Sequence, residues 1–192
     1  MKKAFLLATI LLISVISTAC INNFAVQELN NKAKEFMDKG DYVSAVERLK
    51  SSIDLAPDVF ETRYNLAVAY TQAEDYANAI EAFNEASKIN PDFADLYYSR
   101  AVCEENLSKD IKSGDVIVND DNTIAKPVVQ NDDEETLDKA ELSENAKNML
   151  LSLINSSIED YQIYLDKAED ADKAAINSKI EELKSMTEEN AK

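Results

Sequence analysis

The 192-residue chain contains no histidine and no tryptophan, and only two glycines, three prolines and two cysteines. Each shortage removes a class of protein. Without histidine there is no imidazole to move protons, and the commonest metal ligand is missing, which closes most catalytic options. So little glycine and proline cannot punctuate a many-stranded β fold, but suits helices joined by tight connections. The cysteines are Cys20 and Cys103, so an intrachain disulfide would need Cys20 itself, unmodified. Cys103, in a helical apolar setting, reads as a small core residue without a redox role. Positive charge is also scarce: 20 Lys and Arg stand against 37 Asp and Glu, a net charge of −17. Nucleic acid and anionic lipid surfaces would both be repelled, and the charge keeps the chain soluble.

Long apolar runs are absent except at the start. Met1-Lys2-Lys3 precedes a stretch from Ala4 to Ile16 interrupted only by Thr9 and Ser14, and Ser17-Thr18-Ala19-Cys20 follows. A charged start, a short apolar middle and small residues before a cut mark a secretory signal, and Ala4 to Ala19 is too short to cross a bilayer as a helix. Cutting after Ala19 leaves 192 − 19 = 173 residues and, without Lys2 and Lys3, a balance of 18 − 37 = −19. The sequence around Cys20 resembles the lipobox of bacterial lipoproteins, with Ser17 where such boxes favour leucine. Ser17 and Ala19 equally satisfy the small-x-small rule of an ordinary cut. The lipobox resemblance implies acylation of Cys20 and an exported protein, lipid-anchored to the periplasmic or outer face of a bacterial membrane.

Sliding the chain over itself by 34 residues exposes an internal repeat. Ala33 falls on Ala67 and Ala101, Phe36 on Tyr70, Asp41-Tyr42 on Asp75-Tyr76, Ala45-Val46-Glu47 on Ala79-Ile80-Glu81, Leu49 on Phe83, and Pro57-Asp58 on Pro91-Asp92. Small residues at fixed positions let helices approach closely, and the aromatic and aliphatic positions fill the space between them. Pro57 and Pro91 cannot continue a preceding helix but favour the start of the next. Each unit is therefore expected to be a helical hairpin.

These residues resemble the tetratricopeptide repeat family. In residues 60–93, Leu66, Ala67, Tyr70, Tyr76, Ala79, Phe83, Ala86 and Pro91 fall on successive signature positions. Residues 26–59 match through Leu29, Ala33, Phe36, Tyr42, Ala45 and Pro57, with Lys32 and Ser52 departing from the pattern. A third unit begins at Ala94 and fits through Tyr97, Tyr98 and Ala101, although Glu104 takes an aromatic position. Its second helix is displaced to Ser157–Leu165, with Ser157 on the alanine position. Ala101 to Ser157 spans 56 positions where the family has 12, so 44 residues are added inside this repeat.

The expected fold is all-α: a short α-solenoid of about three antiparallel hairpins, the third interrupted, closed by a C-terminal capping helix. The expected boundaries are a signal peptide over 1–19, two units and the first helix of a third over 20–108, an acidic flexible insertion over 109–142, a long second helix over 143–169, and the capping helix and tail over 170–192. Ser143-Glu144 provides a cap for the long helix. Ile176, Ile180, Leu183 and Met186 give the last helix one apolar face, which a solenoid end needs. Val116-Ile117-Val118 and Ile124 offer only a weak pairing around Asn119–Asn122.

The resemblance also implies a concave binding groove lined by the first helix of each hairpin. Asn30, Lys34, Met37, Glu61, Tyr64, Val68, Thr71, Tyr98, Val102 and Glu105 take groove positions here. Tyr64 and Tyr98 stand out, because exposed tyrosine gives contact area at low entropic cost. Lys34 is the one clear cation, opposed by Asp38, Glu61, Asp95 and Glu105, which disfavours the basic clamp by which some family members hold a peptide carboxylate. Asp120-Asp121-Asn122 and Asp132–Glu135 lack the spacing of a calcium loop and read as solvated charge. Glu104-Glu105 point to different sides of a helix and have no nucleophile or oxyanion loop beside them.

The expectation is therefore a scaffold without catalytic residues, metal or cofactor. Its partners would be a protein or peptide segment and, through the lipid anchor, a membrane, with neither nucleic acid nor a small-molecule substrate. The alternative is a soluble exported regulator whose acidic loop gates the groove.

Overall fold

The computed structural model describes residues 23–126 and 142–190, with side chains through 188. The expected signal peptide, Cys20 and the acidic run Asp132–Glu135 lie outside the described residues. Among those described there are seven α-helices and one two-stranded hairpin. The chain divides into two compact units, one ending at Glu74 and the other beginning at Asp75.

The first unit holds α1 (23–38), α2 (Tyr42–Leu55) and α3 (Phe60–Gln72). Gly40 stops α1. Its φ of 75° is left-handed, and it lets the Gly40 and Asp41 amides fold back onto the carbonyls of Met37 and Phe36, both at 2.9 Å. Asp41 then caps α2 by accepting from the Ser44 amide at 3.1 Å. The repeated alanines are where helices meet: Ala33, Ala45 and Ala67 are at most 1% exposed. Leu49, Leu66 and Tyr70 are buried beside them, and α2 packs on α3.

The second unit holds α4 (Tyr76–Ile89), α5 (Ala94–Ser113), the strands β1 (Ile117–Val118) and β2 (Ile124–Ala125), α6 (Glu144–Lys167) and α7 (Lys173–Asn190). Element starts keep the 34-residue spacing, Tyr42 to Tyr76 and Phe60 to Ala94. So does the cap, with Asp75 accepting from the Asn78 amide at 3.4 Å. Glu74, one repeat after Gly40, adopts φ 57°, a conformation that costs a residue with a side chain about 1 kcal/mol or more.

The segment expected as an acidic loop from residue 109 differs. Helix α5 continues to Ser113 and ends on left-handed Gly114, φ 87°. The reason is packing, since the buried stripe continues through Leu107 and Ile111, spaced i, i+4. The weak β pairing forms antiparallel, with Ile117 opposite Ala125 and Val118 opposite Ile124. Asp121 pins its turn, its Oδ1 accepting from the Thr123 amide at 3.0 Å and hydroxyl at 2.6 Å. This carboxylate is used in a turn. The remainder of the expected loop, 127–141, is outside the described residues.

Helix α6 begins at a Ser143 cap, whose Oγ accepts from the Ala146 amide at 3.2 Å, and lies along α5 in the unit's most extensive contact. Ser157, fully buried, donates its hydroxyl to the Ala101 carbonyl at 3.0 Å across 56 residues. Helix α7 then covers α6 with Ile176, Ile180 and Leu183, each at most 9% exposed. Such burial contributes about 1.5–3 kcal/mol per side chain. No described helix is long and apolar enough to cross a membrane.

Candidate functional site

In the first unit the expected groove positions lie on α1 and α3. Asn30 joins the two helices, its Nδ2 donating to Thr62 Oγ1 at 2.9 Å, while its buried Oδ1 has no hydrogen-bond partner among the described residues. Lys34 and Glu61 are exposed; Met37, Tyr64, Val68 and Thr71 are half-buried. The Tyr64 ring stacks on Phe60 one turn earlier, centroids 5.8 Å apart and planes 26° apart, which fixes its rotamer. Thr71 turns its hydroxyl onto the Ala67 carbonyl at 2.9 Å.

In the second unit the positions on α5 diverge. Tyr98 is 41% exposed, one of five exposed large hydrophobic side chains among the described residues. It is braced from below by two tyrosines of α6: Tyr161 meets it edge-on at 5.8 Å and Tyr164 lies tilted at 5.2 Å. Val102 packs on the unit's core. Glu105, expected on an open groove, is instead 5% exposed. Its Oε1 accepts from Lys109 on α5 and from Lys179 on α7 at 2.8 Å, and Tyr161 donates to Oε2 at 3.3 Å. Burial by itself raises the Glu105 pKa, but the two lysines outweigh it and hold the carboxyl below its usual range. The same burial, with Glu105 close by, pushes the Tyr161 hydroxyl up. The terminal helix seals this position, so Glu105 locks α7 onto α5.

Between α5 and α6 runs a buried charge network that the sequence pattern does not reveal. Arg100 grips Asp160 with Nε and Nη2, both at 2.6 Å, and donates Nη1 to Asn84 of α4 at 2.6 Å. One turn along, Glu104 is 3% exposed, with Oε1 accepting from Ser156 at 2.8 Å and Oε2 without a hydrogen-bond partner among the described residues. Burial, reinforced by Asp160, pushes its carboxyl up to about 7. The one sequence signal was Glu104 itself, a carboxylate at a position that repeats of this kind fill with an aromatic ring. Among the described residues no group of three metal-binding side chains occurs.

The sequence model of the family described as "Tetratricopeptide repeat" matches residues 36–103. No curated protein matches the chain. Solved structures do. The first TPR of Spaghetti (RPAP3) bound to HSP90 peptide SRMEEVD aligns with a TM-score of 0.55 at 14% identity, over 84% of this chain and 91% of that one. The first TPR domain of the human RPAP3 protein gives 0.56 at 16% identity, over 85% and 95%. The second TPR domain of human RPAP3 in complex with HSP70 peptide SGPTIEEVD gives 0.56 at 14%, over 83% and 98%. At these identities the likeness is one of fold. Helical hairpins of tetratricopeptide type are thus established from the structure, and residues 36–103 carry the repeat pattern itself.

Proposed function

We propose that this chain is a protein-interaction scaffold of the bacterial cell envelope, anchored to a membrane by acyl chains on Cys20. It binds a peptide segment of another protein through the first helices of its hairpins. Tyr98 carries the reading: an aromatic side chain left 41% exposed and held rigid by Tyr161 and Tyr164 loses little entropy when a partner covers it. Tyr64, held on Phe60, is the counterpart in the first unit.

Two of the similar structures hold peptides, SRMEEVD and SGPTIEEVD, that end in EEVD. The charge here argues against so acidic an end. Exposed Lys34 is outnumbered on the first helices by exposed Asp38, Glu61 and Asp95, so a neutral or basic segment with apolar side chains suits these helices better. The lipobox-like Ser17-Thr18-Ala19-Cys20 supports the anchor, since each acyl methylene buried in a bilayer contributes about 0.8 kcal/mol.

Two experiments test the reading. Fractionation of cells should find the wild-type chain with membranes and Cys20→Ser in the soluble fraction; a variant that still sediments removes the anchor. Affinity capture from detergent-solubilised envelopes should recover a protein with the wild-type bait and lose it with Tyr64→Ala plus Tyr98→Ala. Identical recovery by both baits removes the binding faces.

A further inference from the structure

The second unit contains an open cleft of about 470 Å³ away from Tyr98. Leu107 of α5, 4% exposed, forms its floor. Half-buried Ile80 of α4, Ile124 of β2, and Met149 and Leu153 of α6 form apolar walls. Ala77, Asn122, Asn145, Asn148 and Ser152 complete the lining, so among the described residues no charged side chain lines it. Most of this material is what interrupts the third repeat: the hairpin, and the early turns of α6. An uninterrupted hairpin would have no such wall.

Two properties define what the cleft can hold. Asn145, Asn148 and Ser152 form a row along one face of α6, about 10 Å long at 1.5 Å per residue. That length matches about three residues of extended chain, and amide and hydroxyl groups can both donate to and accept from a peptide backbone. The second property is charge. Residues 75–126 and 142–190 carry 10 Lys and Arg against 22 Asp and Glu, 10 − 22 = −12. Exposed Glu81, Asp121 and Glu144 adjoin lining residues in the sequence and exposed Asp120 lies two positions from one, against the cations Lys147, adjoining Asn148, and Lys126, two positions from Ile124. A neutral apolar slot in so negative a surface attracts cationic flanks and repels acidic ones.

We propose that this cleft docks an extended segment of a partner protein, with one large apolar side chain seated against Leu107 and Lys or Arg on either side. It is a second interaction surface, separate from the Tyr64 and Tyr98 faces, and was created by the insertion.

Fluorescence anisotropy with the full chain and labelled nonapeptides tests this. One probe carries a central Phe between Lys pairs, a second has Glu in place of Lys, and a third has Ser in place of Phe. The Phe/Lys probe should bind at least about tenfold tighter than either control, as a well-seated anchor implies. Ser152→Trp places a large ring in the cleft from an exposed helix position without disturbing the core, and circular dichroism verifies its fold. It should weaken the Phe/Lys probe by about tenfold or more, measured in a Tyr64→Ala plus Tyr98→Ala background so that the other binding faces do not contribute, whereas Ser178→Trp, at an exposed α7 position outside the lining, should leave binding unchanged. Equal binding of Lys and Glu probes, or an unaffected Ser152→Trp, overturns the proposal. Sedimentation showing a concentration-dependent dimer that Ser152→Trp abolishes would overturn it in favour of a second copy of this chain.

Discussion

Replacing Glu104 by glutamine should make the protein more stable, by an amount that grows with pH. In the folded chain this carboxyl titrates near 7 instead of 4.5, because it is buried beside Asp160. Below pH 4.5 it is neutral in both folded and unfolded chains and its favourable contribution is complete. As pH rises toward 7 the unfolded chain releases the proton while the folded chain keeps it, so stability falls, and it levels off once the folded carboxyl has ionised. At about 1.4 kcal/mol per tenfold change in proton affinity, the loss totals about 3 kcal/mol. Glutamine has the same shape, retains an oxygen for the Ser156 hydroxyl, and cannot ionise. Urea denaturation followed by circular dichroism at pH 5, 6, 7 and 8 compares the two proteins, so that opposing contributions such as that of Glu105 cancel. The stability difference should widen by roughly 2 to 3 kcal/mol from pH 5 to pH 8. A difference that stays constant across this range would refute the assignment of Glu104 as a buried carboxyl ionising near neutrality.

The other expectations follow from packing and backbone geometry. Asp160→Asn leaves the Arg100 guanidinium buried without its counter-charge and should cost about 3–5 kcal/mol in urea denaturation at pH 7.5; a loss under about 1 kcal/mol would contradict the ion pair. Ser157→Leu forces α6 away from the Ala101 backbone and should cost about 1–3 kcal/mol or more in thermal melts, whereas Ser157→Ala should stay within about 1 kcal/mol. Glu74→Gly relieves the left-handed backbone at φ 57° and should stabilise by about 0.5–1 kcal/mol after the glycine's greater unfolded freedom is subtracted.

The hairpins were legible because close helix packing leaves a periodic trace. An alanine is required wherever two backbones meet, and the recurrence of Ala33, Ala67 and Ala101 at one spacing can be read without structure. The displaced partner of the third repeat was legible for the same reason, through a small residue, Ser157, that meets Ala101. What the pattern could not supply was pairing across the inserted segment. Arg100 and Asp160 are 60 residues apart and Glu104 and Ser156 are 52 apart, and nothing local marks either pair. The burial of Glu105 was hidden too. Family position places it on an open face, but here α7 closes over it and supplies Lys179. The hairpin at Ile117–Ala125 was visible only as a short β-branched run, whose pairing depended on the support Val118 and Ile124 receive from the unit's core.

The central claim is that the first helices of the hairpins meet another protein. Photo-crosslinking in intact cells tests it most directly, with benzoylphenylalanine placed at Tyr64, at Tyr98 and, as a control, at Val43, an α2 position that is 72% exposed. The account predicts adducts to the same partner from the two tyrosine positions and none from Val43. Adducts from Val43 alone, or equal adducts from all three positions, would contradict it.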